Sequence, residues 1–370
     1  MRCAGRSDPT IADWGHPMET CADGGTDSTG ISRVESMAMI PVVDMRSLLG
    51  EPGMSRDEAD SRIAEAAQLF GFFCLTGSGD LIPTGHDVRE QMLRVFRISD
   101  GEQRKLWRCF YAAGQSNVYR GWNPRDGEHG VSIYDLGPDV AYPDVRVAVG
   151  ELDDPLLGAT PFPSEETVPG WRAATARYYR AMERLGAVVM RSVARGLGLP
   201  ELFFDRAFTG GISTLRLMRY EFAESGPVTF DGHDPEVPRR GEHVDSGFVT
   251  LLGQHGVAGL SVKARSGEWI DVPPVEDHLV VNFGGVLERW TEGRIRATPH
   301  RVVSEGRTRF SIPFFFEPRV DAVISPLPTD WATRFEPFSY GDHLWAAMSK
   351  FPNFAGVADL RTPRGTAGGS

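Results

Sequence analysis

The pattern of hydrophobic and polar residues changes once along the chain, from helical spacing to alternation. Residues 40–45 form a short apolar run that predicts a strand, and residues 55–70 repeat Ala, Ile and Leu at helical spacing. Residues 71–76 predict a second strand. Residues 165–197 again carry apolar side chains at helical spacing and predict the longest helix, which ends near Gly198. The first half of the chain is therefore expected to be mainly helical.

The second half has the two-residue period of β-strands. Turn signals such as Arg265-Ser266-Gly267 and Glu292-Gly293 separate some of the apolar runs, which predicts mostly antiparallel strands joined by hairpins. The expected strands cover residues 213–220, 243–253, 259–264, 269–272, 278–284, 295–303 and 308–317. Such a series is typical of a sandwich or a jelly roll. We expect an α+β fold in which the helices brace one sheet from outside.

Composition divides the chain into one domain and two polar ends. Residues 1–36 are rich in Gly, Ser, Thr and Asp and lack periodicity, which indicates a disordered leader over residues 1–38. A single domain is expected over residues 39–360, with a helical part at 39–210, a jelly-roll core at 211–320 and a C-terminal helix at 321–360. Residues 361–370 have the character of the leader and predict a flexible tail.

Charge and cysteine content narrow the classes of function. The 39 Lys and Arg residues against 50 Asp and Glu residues give a formal net charge of −11, unlike the basic surface of a nucleic-acid-binding protein. No run approaches the roughly 18 to 20 apolar residues of a membrane helix. The four cysteines are scattered, which indicates neither disulfides nor a cysteine zinc site. We expect a cytoplasmic protein, monomeric or weakly homo-oligomeric, that acts on a small molecule.

A candidate metal site comes from three residues of the second half. His243 and Asp245 are two positions apart in a predicted strand, so both side chains point to one face. His300 follows 55 residues after Asp245, and antiparallel strands can return it to the same place. Two histidines and one carboxylate leave three coordination positions open for a 2-oxo acid and dioxygen, the arrangement of non-haem iron(II) oxygenases. A His-x-Asp pair by itself is more often a hydrogen-bonded structural pair.

A candidate receptor for a carboxylate lies nine residues beyond His300. Arg309 and Ser311 share one face of a predicted strand. A guanidinium group binds a carboxylate through two parallel hydrogen bonds, and a serine hydroxyl adds a third. The alternative is an arginine paired with an acidic side chain of the sheet, which would not explain the spacing to His300.

These residues stand among motifs of a known family. The sequence from residue 40 to about residue 354 resembles the isopenicillin N synthase-like family of iron(II)/2-oxoglutarate oxygenases. The matching motifs are Ile40-Pro41-Val42-Val43-Asp44, Phe70-Gly71-Phe72-Phe73, His243-x-Asp245, Gly267-Glu268-Trp269-Ile270-Asp271-Val272-Pro273-Pro274, Arg289-Trp290-Thr291-Glu292-Gly293, Pro299-His300-Arg301-Val302 and Arg309-x-Ser311. The resemblance implies a distorted double-stranded β-helix (jelly-roll) core, iron(II) on the two histidines and the aspartate, and C–H oxidation by dioxygen coupled to decarboxylation of 2-oxoglutarate.

The resemblance also implies roles beyond the metal ligands. Arg309 and Ser311 would hold the far carboxylate of 2-oxoglutarate, and Tyr220 matches a family tyrosine that donates a hydroxyl to the same group. A half-buried tyrosine at the rim of the sheet is the alternative for Tyr220. Two positions depart from the pattern. Met218 replaces the Asn of many plant relatives, and Asn282-Phe283-Gly284-Gly285 replaces Asn-x-Gly-Asp, so a carboxylate beside the ligands is missing.

Candidate substrate contacts are Tyr119, Arg216 and Phe315. Residues 116–123 lie where relatives place substrate contacts, and Phe315 shares the strand face of Arg309. Arg216 shares the face of Tyr220 and could hold a substrate carboxylate, although a surface salt bridge is an alternative, and Phe315 could belong to the core. Aromatic residues here indicate a small, partly apolar substrate. The other histidines lack ligand-like spacing and are expected to be structural or exposed: His16, His86, His129, His233, His255, His278 and His343.

Three functions fit these residues. The first is a 2-oxoglutarate-dependent hydroxylase, desaturase or ring-forming oxygenase of bacterial specialised metabolism. The second is an iron(II) oxidase that does not use 2-oxoglutarate, as in isopenicillin N synthase, which keeps the Arg-x-Ser pair for its substrate carboxylate. The third is a non-catalytic binding protein on the same fold, and the intact set of three metal ligands argues against it.

Overall fold

The structure, a computed structural model, describes most of the chain from residue 40 onward. The described residues are 40–50, 55–77, 85–111, 117–124, 130–144, 154–221, 241–275, 278–303, 307–332, 334–351, 354 and 357–366. The predicted leader, residues 1–38, lies outside them. Ile40–Ser370 forms one compact unit.

The helices are α1 (Met45–Leu48), α2 (Arg56–Leu69), α3 (His86–Leu93), α4 (Asp100–Arg104), α5 (Trp171–Gly196), α6 (Asp205–Phe208), α7 (Gly285–Trp290) and α8 (Tyr340–Met348). The two longest confirm the predicted helices at 55–70 and 165–197. Ser55 caps α2 by accepting a hydrogen bond from the backbone N–H of Glu58 at 3.2 Å. Gly198 follows α5 with a φ of 74°, a left-handed conformation that suits glycine at a helix end. Among the described helices, none is long and apolar enough to cross a membrane.

The strands are β1 (Val42–Asp44), β2 (Phe72–Thr76), β3 (Gly121–Asn123), β4 (Val131–Leu136), β5 (Thr214–Tyr220), β6 (Val249–His255), β7 (Leu260–Lys263), β8 (Trp269–Val272), β9 (Leu279–Phe283), β10 (His300–Val302), β11 (Arg309–Phe316), β12 (Val323–Ile324) and β13 (Phe338–Ser339). An eight-stranded sheet has the order β1-β2-β9-β6-β11-β5-β4-β3, beside a three-stranded sheet β10-β7-β8. The described strand pairs are antiparallel except for β1 with β2. The predicted α+β class is confirmed.

Two predicted strands are shorter than expected, and both lie at the candidate metal site. The strand predicted over residues 243–253 begins only at Val249, and the one predicted over 295–303 is reduced to His300–Val302. The backbone carbonyl of Asp245 accepts a hydrogen bond from the N–H of Gly285 at 2.7 Å. This bond draws the chain towards α7, so it cannot continue the ladder of β6 upstream of Val249.

The C-terminal part also differs from its prediction. In place of one helix over residues 321–360, β12 pairs with β13 and α8 covers Tyr340–Met348. The predicted flexible tail is wrong for its first residues. Buried Arg361 donates to Asp154 at 2.9 Å and to Asp342 at 2.6 Å, and the N–H of Gly365 donates to Asp342 at 2.8 Å. A buried guanidinium needs such partners, and they fix the chain that carries it.

β11 lies at the centre of the large sheet, between β6 and β5. Its alternate side chains point to opposite faces. On the helical side, the ring of Phe314 lies 5.0 Å from that of Tyr179 in α5, and Phe316 packs against Gly186 of the same helix. Arg309 points to the other face. The predicted bracing of one sheet by a long helix is therefore observed, and it leaves the opposite face free for the site.

A buried acid, Glu317, follows the last residue of β11. Its carboxylate accepts hydrogen bonds from the hydroxyl of Tyr340 at 2.9 Å and from the hydroxyl of Thr214 at 3.1 Å. Burial raises the pKa of Glu317 to about 7, although nearby Arg120 and the two hydroxyls act in the opposite direction. The folded protein therefore holds the proton of Glu317 more tightly than the unfolded chain does.

Gly186 tests the packing of α5 on the sheet. In Gly186→Ala the added methyl group would lie 2.4 Å from a ring carbon of Phe316, so a buried ring must move. We expect a loss of about 1 to 3 kcal/mol in the free energy of unfolding, measured with urea. Gly196→Ala is the control, because its nearest contact is 3.3 Å from Ala64 and alanine favours a helix by about 1 kcal/mol. Equal stability of the two variants would contradict the close packing of Gly186 against Phe316.

Glu317 makes stability depend on pH. Below the ordinary pKa of 4.5 the carboxyl is protonated in both states. As the pH rises towards the folded pKa of about 7, the unfolded state loses its proton first, so the free energy of unfolding falls. The fall should be about 1 to 3 kcal/mol and absent from Glu317→Gln. Urea unfolding of wild type and Glu317→Gln at about pH 5 and about pH 7.5 measures this difference. An equal change in the free energy of unfolding of the two proteins would exclude the contribution of Glu317.

Candidate metal centre

Two histidines are joined through their backbones. His243 and His300 form an isolated antiparallel bridge, with N–H to carbonyl distances of 3.0 and 2.9 Å. Their ring centroids are 4.3 Å apart. His300 belongs to β10 and is buried, whereas the side chain of His243 is about half exposed. The Nδ1 atom of His300 lies 3.2 Å from the carbonyl of Thr298, which leaves Nε2 to face Asp245.

Asp245 presents one carboxylate oxygen to both histidines. Its Oδ1 lies 3.7 Å from Nε2 of His243 and 3.8 Å from Nε2 of His300. Its Oδ2 accepts hydrogen bonds from the hydroxyl of Thr250 at 2.6 Å and from the side-chain amide of Asn282 at 2.8 Å. Thr250 and Asn282 are directly paired on β6 and β9. Because both donors bind Oδ2, Oδ1 is oriented towards the space between the imidazoles.

The charges of the three side chains suit metal binding. Burial by itself would raise the pKa of Asp245, but the two histidines and the two hydrogen bonds hold it below its ordinary value. Burial lowers the pKa of His300. Near neutral pH the aspartate is therefore anionic and His300 neutral, the protonation states that a metal ion requires. Candidate ligand atoms of all three residues lie within 4.8 Å of one another, so they could hold one divalent ion.

Arg309 lies on the same inner face of the sheet and is 1% exposed. Its Nη2 lies 3.5 Å from Oε1 of Gln254, and its Cζ is 5.2 Å from the ring centroid of Tyr220. Its Nε and Nη1 have no hydrogen-bond partner among the described residues. Burial lowers the pKa of Arg309, but a guanidinium keeps its charge. A buried cation without a carboxylate is costly, so this position is suited to bind an anionic group.

Ser311 and Tyr220 flank Arg309 as the sequence predicts. Tyr220 pairs directly with Arg309 across β5 and β11, and Ser311 pairs with Met218 on one side and Gln254 on the other. Cross-strand partners share a face, so all five side chains belong to one surface. The hydroxyl of Tyr220 lies 3.5 Å from the sulfur of Met218.

The family model described as the 2OG-Fe(II) oxygenase superfamily matches residues 214–318, which include the three candidate ligands and Arg309. Isopenicillin N synthase of Streptomyces clavuligerus is 31% identical over 314 residues, covering 83% of this chain and 94% of that protein. The chain belongs to the isopenicillin N synthase-like family of iron(II)/2-oxoglutarate-dependent dioxygenases. A 2-oxoglutarate-Fe(II) type oxidoreductase of Emericella nidulans is also 31% identical, over 78% of this chain and 82% of its own.

Solved structures agree with this membership. A full-length Neurospora crassa protein in complex with alpha-KG (2-oxoglutarate) has a TM-score of 0.66 and 26% identity, covering 82% of this chain and 94% of its own. The rice dioxygenase for auxin oxidation shares the fold, with a TM-score of 0.63 and 24% identity over 87% of this chain and 99% of its own. The predicted jelly-roll fold is confirmed. The chain is an oxidoreductase of a family whose cofactors are iron(II), 2-oxoglutarate and dioxygen.

One departure from the family motif has a structural counterpart. Gly285 stands where the family usually has aspartate, so that carboxylate is missing beside Asp245. Gly285 instead contributes its backbone N–H to the carbonyl of Asp245. The side chains of Thr250 and Asn282 fix the carboxylate. No motif indicates Thr250 or Gln254, but both alternate with outward residues along β6, and this alternation is the signal that could have identified them.

The structure corrects the expected role of Arg216. Its Nε and Nη2 donate to Asp135 at 2.6 and 2.9 Å, so the guanidinium is already paired with a carboxylate of the chain. The alternative of a surface salt bridge is also wrong in its location, because Asp135 is 2% exposed. Arg108, which no sequence signal indicated, donates to the same carboxylate and is itself buried.

The other two substrate candidates lie near this ion-pair cluster. The Cζ of Arg216 is 5.2 Å from the ring centroid of Phe315, which is only partly buried, whereas Phe314 and Phe316 belong to the core. Tyr119 is buried, and its hydroxyl lies 3.5 Å from that of Thr214 on β5. Phe315 thus shares the inner face, as its parity predicts, and Tyr119 contacts Thr214, the residue that pairs directly with Phe315.

Thr250 tests whether the orientation of Asp245 matters. Thr250→Val keeps the shape of the side chain but removes the hydrogen bond to Oδ2, which frees the carboxylate to rotate. We expect the affinity for iron(II), measured by anaerobic equilibrium dialysis, to fall about 10- to 100-fold. Thr250→Ser retains the hydroxyl and should stay close to wild type, while circular dichroism checks that both variants fold. Unchanged iron affinity in the valine variant would show that Asn282 alone is sufficient.

Proposed function

We propose that this chain is a 2-oxoglutarate-dependent iron(II) dioxygenase that oxidises a small, partly apolar organic molecule by hydroxylation, desaturation or ring formation, in bacterial specialised metabolism. The observation that carries the proposal is the buried Arg309, whose Nε and Nη1 have no partner among the described residues. It lies on the sheet face that also carries Thr250 and Asn282, the two residues that hold Asp245. In the proposed complex, one carboxylate of a dicarboxylate would lie at Asp245 and its other carboxylate at Arg309.

The donor set fits the cofactors of the family. His243, Asp245 and His300 would hold iron(II), and Arg309, Ser311 and Tyr220, on the inner sheet face, would hold the distal carboxylate of 2-oxoglutarate. Iron(II) held there would bring dioxygen and 2-oxoglutarate together, so that 2-oxoglutarate loses carbon dioxide and becomes succinate while a C–H bond of the substrate is oxidised.

The residues of the chain contribute charge balance and orientation. Asp245 supplies one negative charge and the histidines none, which leaves a divalent ion with one net positive charge. Arg309 supplies a second positive charge, and together these match the two negative charges of 2-oxoglutarate. The side-chain amide of Gln254 donates a hydrogen bond to the carbonyl of Val272 at 3.2 Å, which fixes the amide near Arg309. The fixed amide in turn limits the positions that the guanidinium can adopt.

The substrate would bind beside Phe315 and Arg216, with Tyr119 close by at Thr214. Arg216 and Arg108 both bind Asp135, so this side of the inner face is a fixed ion-pair cluster. Such a cluster is already oriented before any substrate arrives, and the ring of Phe315 adds an apolar surface. This combination favours a compact molecule with both apolar and polar parts.

An iron(II) oxidase that does not consume 2-oxoglutarate is the second candidate. The similarity to isopenicillin N synthase, 31% identity over 94% of that protein, favours it. In that case Arg309 and Ser311 would bind a carboxylate of the primary substrate. The same geometry serves both reactions, so the two candidates differ in which acid is bound and not in which residues bind it.

We further propose a cytoplasmic protein, monomeric or weakly homo-oligomeric, without a nucleic-acid or membrane partner. The formal net charge of −11 disfavours polyanions. Cys74 and Cys109, the cysteines among the described residues, are both free, as is usual in a reducing compartment.

Arg309 distinguishes the two candidates. Removal of one partner from a buried guanidinium–carboxylate pair costs about 2 to 5 kcal/mol, so Arg309→Ala should weaken binding of its acid by at least about tenfold. Arg309→Lys should retain only part of the wild-type affinity for the acid, because an ammonium group cannot form two parallel hydrogen bonds with a carboxylate. If the chain consumes 2-oxoglutarate, wild type releases one succinate per oxidised substrate and the variant has a raised KM for 2-oxoglutarate.

Iron binding and an unrelated arginine are the controls. Arg309 is not a candidate ligand, so iron affinity should be unchanged in both variants. Arg319→Ala removes an exposed arginine paired with Asp321 at 2.8 Å and should leave the KM unaltered. Turnover without succinate in wild type would exclude the 2-oxoglutarate-dependent reaction, and a raised KM for the primary substrate in Arg309→Ala would support the oxidase.

A further inference from the structure

A second group of metal-binding side chains lies outside the centre described above. It consists of His86 and Glu90 on α3 and His255 at the end of β6. Sequence spacing gave no reason to connect His86 with His255. The fold brings them together because α3 packs against the end of β6.

The three side chains face one another closely. His86 and Glu90 are four residues apart on α3, so they lie on one side of the helix. The rings of His86 and His255 have centroids 4.8 Å apart and an interplanar angle of 20°. Nε2 of His255 lies 3.4 Å from Oε2 of Glu90. One candidate ligand atom from each residue falls within 4.8 Å of the others, as at the first centre.

Glu90 is oriented by a neighbour. Its Oε1 accepts a hydrogen bond from Arg97, which leaves Oε2 to face His255. This division of the two oxygens repeats that of Asp245, whose Oδ2 is held by Thr250 and Asn282. A hydrogen-bond donor on one oxygen orients the carboxylate, so that its other oxygen can bind a metal ion.

The two elements that carry the ligands are fixed to each other. Arg89 lies between His86 and Glu90 on α3, is 3% exposed, and donates to the backbone carbonyl of Gln254 at 2.6 Å and to that of His278 at 3.3 Å. Gln254 is the residue before His255. These hydrogen bonds fix the distance between α3 and β6 next to the cluster. An ion that bound there would therefore lose little free energy in ordering its ligands.

A simple ion pair explains the cluster less well. A pair of Glu90 with a protonated His255 would involve only one of the two imidazoles and would leave the stacked ring of His86 unexplained. Two imidazoles stacked beside one carboxylate oxygen would repel each other if both were charged. As neutral groups they present nitrogen lone pairs, the form in which histidine binds a metal.

We propose that His86, Glu90 and His255 form a second metal site, which binds a late first-row divalent cation such as Zn²⁺. Two imidazole nitrogens and one carboxylate oxygen are a common zinc ligand set with a fourth position for water. Mg²⁺ and Ca²⁺ prefer oxygen ligands and are disfavoured. The ion would join α3 to β6 one residue from Gln254, whose side chain contacts Arg309. The proposal does not depend on the function of the first centre.

Zinc binding to a protein without the first centre tests the proposal. The parent is His243→Ala/Asp245→Ala, and zinc bound per chain is measured by equilibrium dialysis and elemental analysis. Adding His86→Ala or Glu90→Gln should lower the stoichiometry by one. His278→Ala is the matched control, because this nearby histidine contributes only its backbone carbonyl to the contact with Arg89. It should bind as much zinc as the parent. Comparison between variants cancels binding by histidines elsewhere.

A stability measurement completes the test. Zinc should raise the melting temperature of the parent and of His278→Ala, but not of the His86→Ala variant, because an ion bound only to the folded state stabilises it. His86 is exposed, so its replacement should not prevent folding. Equal zinc stoichiometry in the parent and the His86→Ala variant would overturn the proposal, as would an equal rise in their melting temperatures.

Discussion

The pairing of β11 on both sides is the constraint on which the rest of the structure depends. β6 and β5 hold this strand in register over most of its length, so each of its side chains is committed to one face. Phe314 and Phe316 bury their rings under α5, and the same register places Arg309 and Ser311 on the opposite, inner face of the sheet. A shift of one residue would exchange the two sets and bury charge in the core. The packing of Phe314 and Phe316 in the core and the placement of Arg309 and Ser311 on the inner face are thus two consequences of one register.

The candidate metal centre depends on contacts that cross between the two sheets. His300 lies on β10 of the smaller sheet, whereas Thr250 and Asn282, which orient Asp245, lie on β6 and β9 of the larger one. The backbone bridge between His243 and His300 joins these parts. Neither sheet alone contains the three ligands together with their hydrogen-bond donors. The centre therefore requires the complete core, and partial unfolding of either sheet would separate its charges from their partners.

Buried charge is distributed in two different ways in this chain. Asp135 neutralises part of the charge of Arg108 and Arg216, and Asp154 pairs with Arg361, so these groups serve the folded structure. Arg309 has no such carboxylate among the described residues. A buried cation without a carboxylate partner is costly, and Arg309 differs in this respect from Arg108, Arg216 and Arg361, which supports the proposal that it binds an acid.

The sequence by itself determined the helices around residues 55–70 and 165–197, most of the strands, and the candidate residues His243, Asp245, His300 and Arg309. Local spacing and family motifs carry this information because parity and helical period act over a few residues. Tertiary structure decided the contacts between distant segments. Asp135 occupies Arg216, Arg361 anchors the expected tail, and His86 meets His255 across 169 positions of sequence. Such pairs depend on which elements pack together, and no local pattern of a single sequence encodes that.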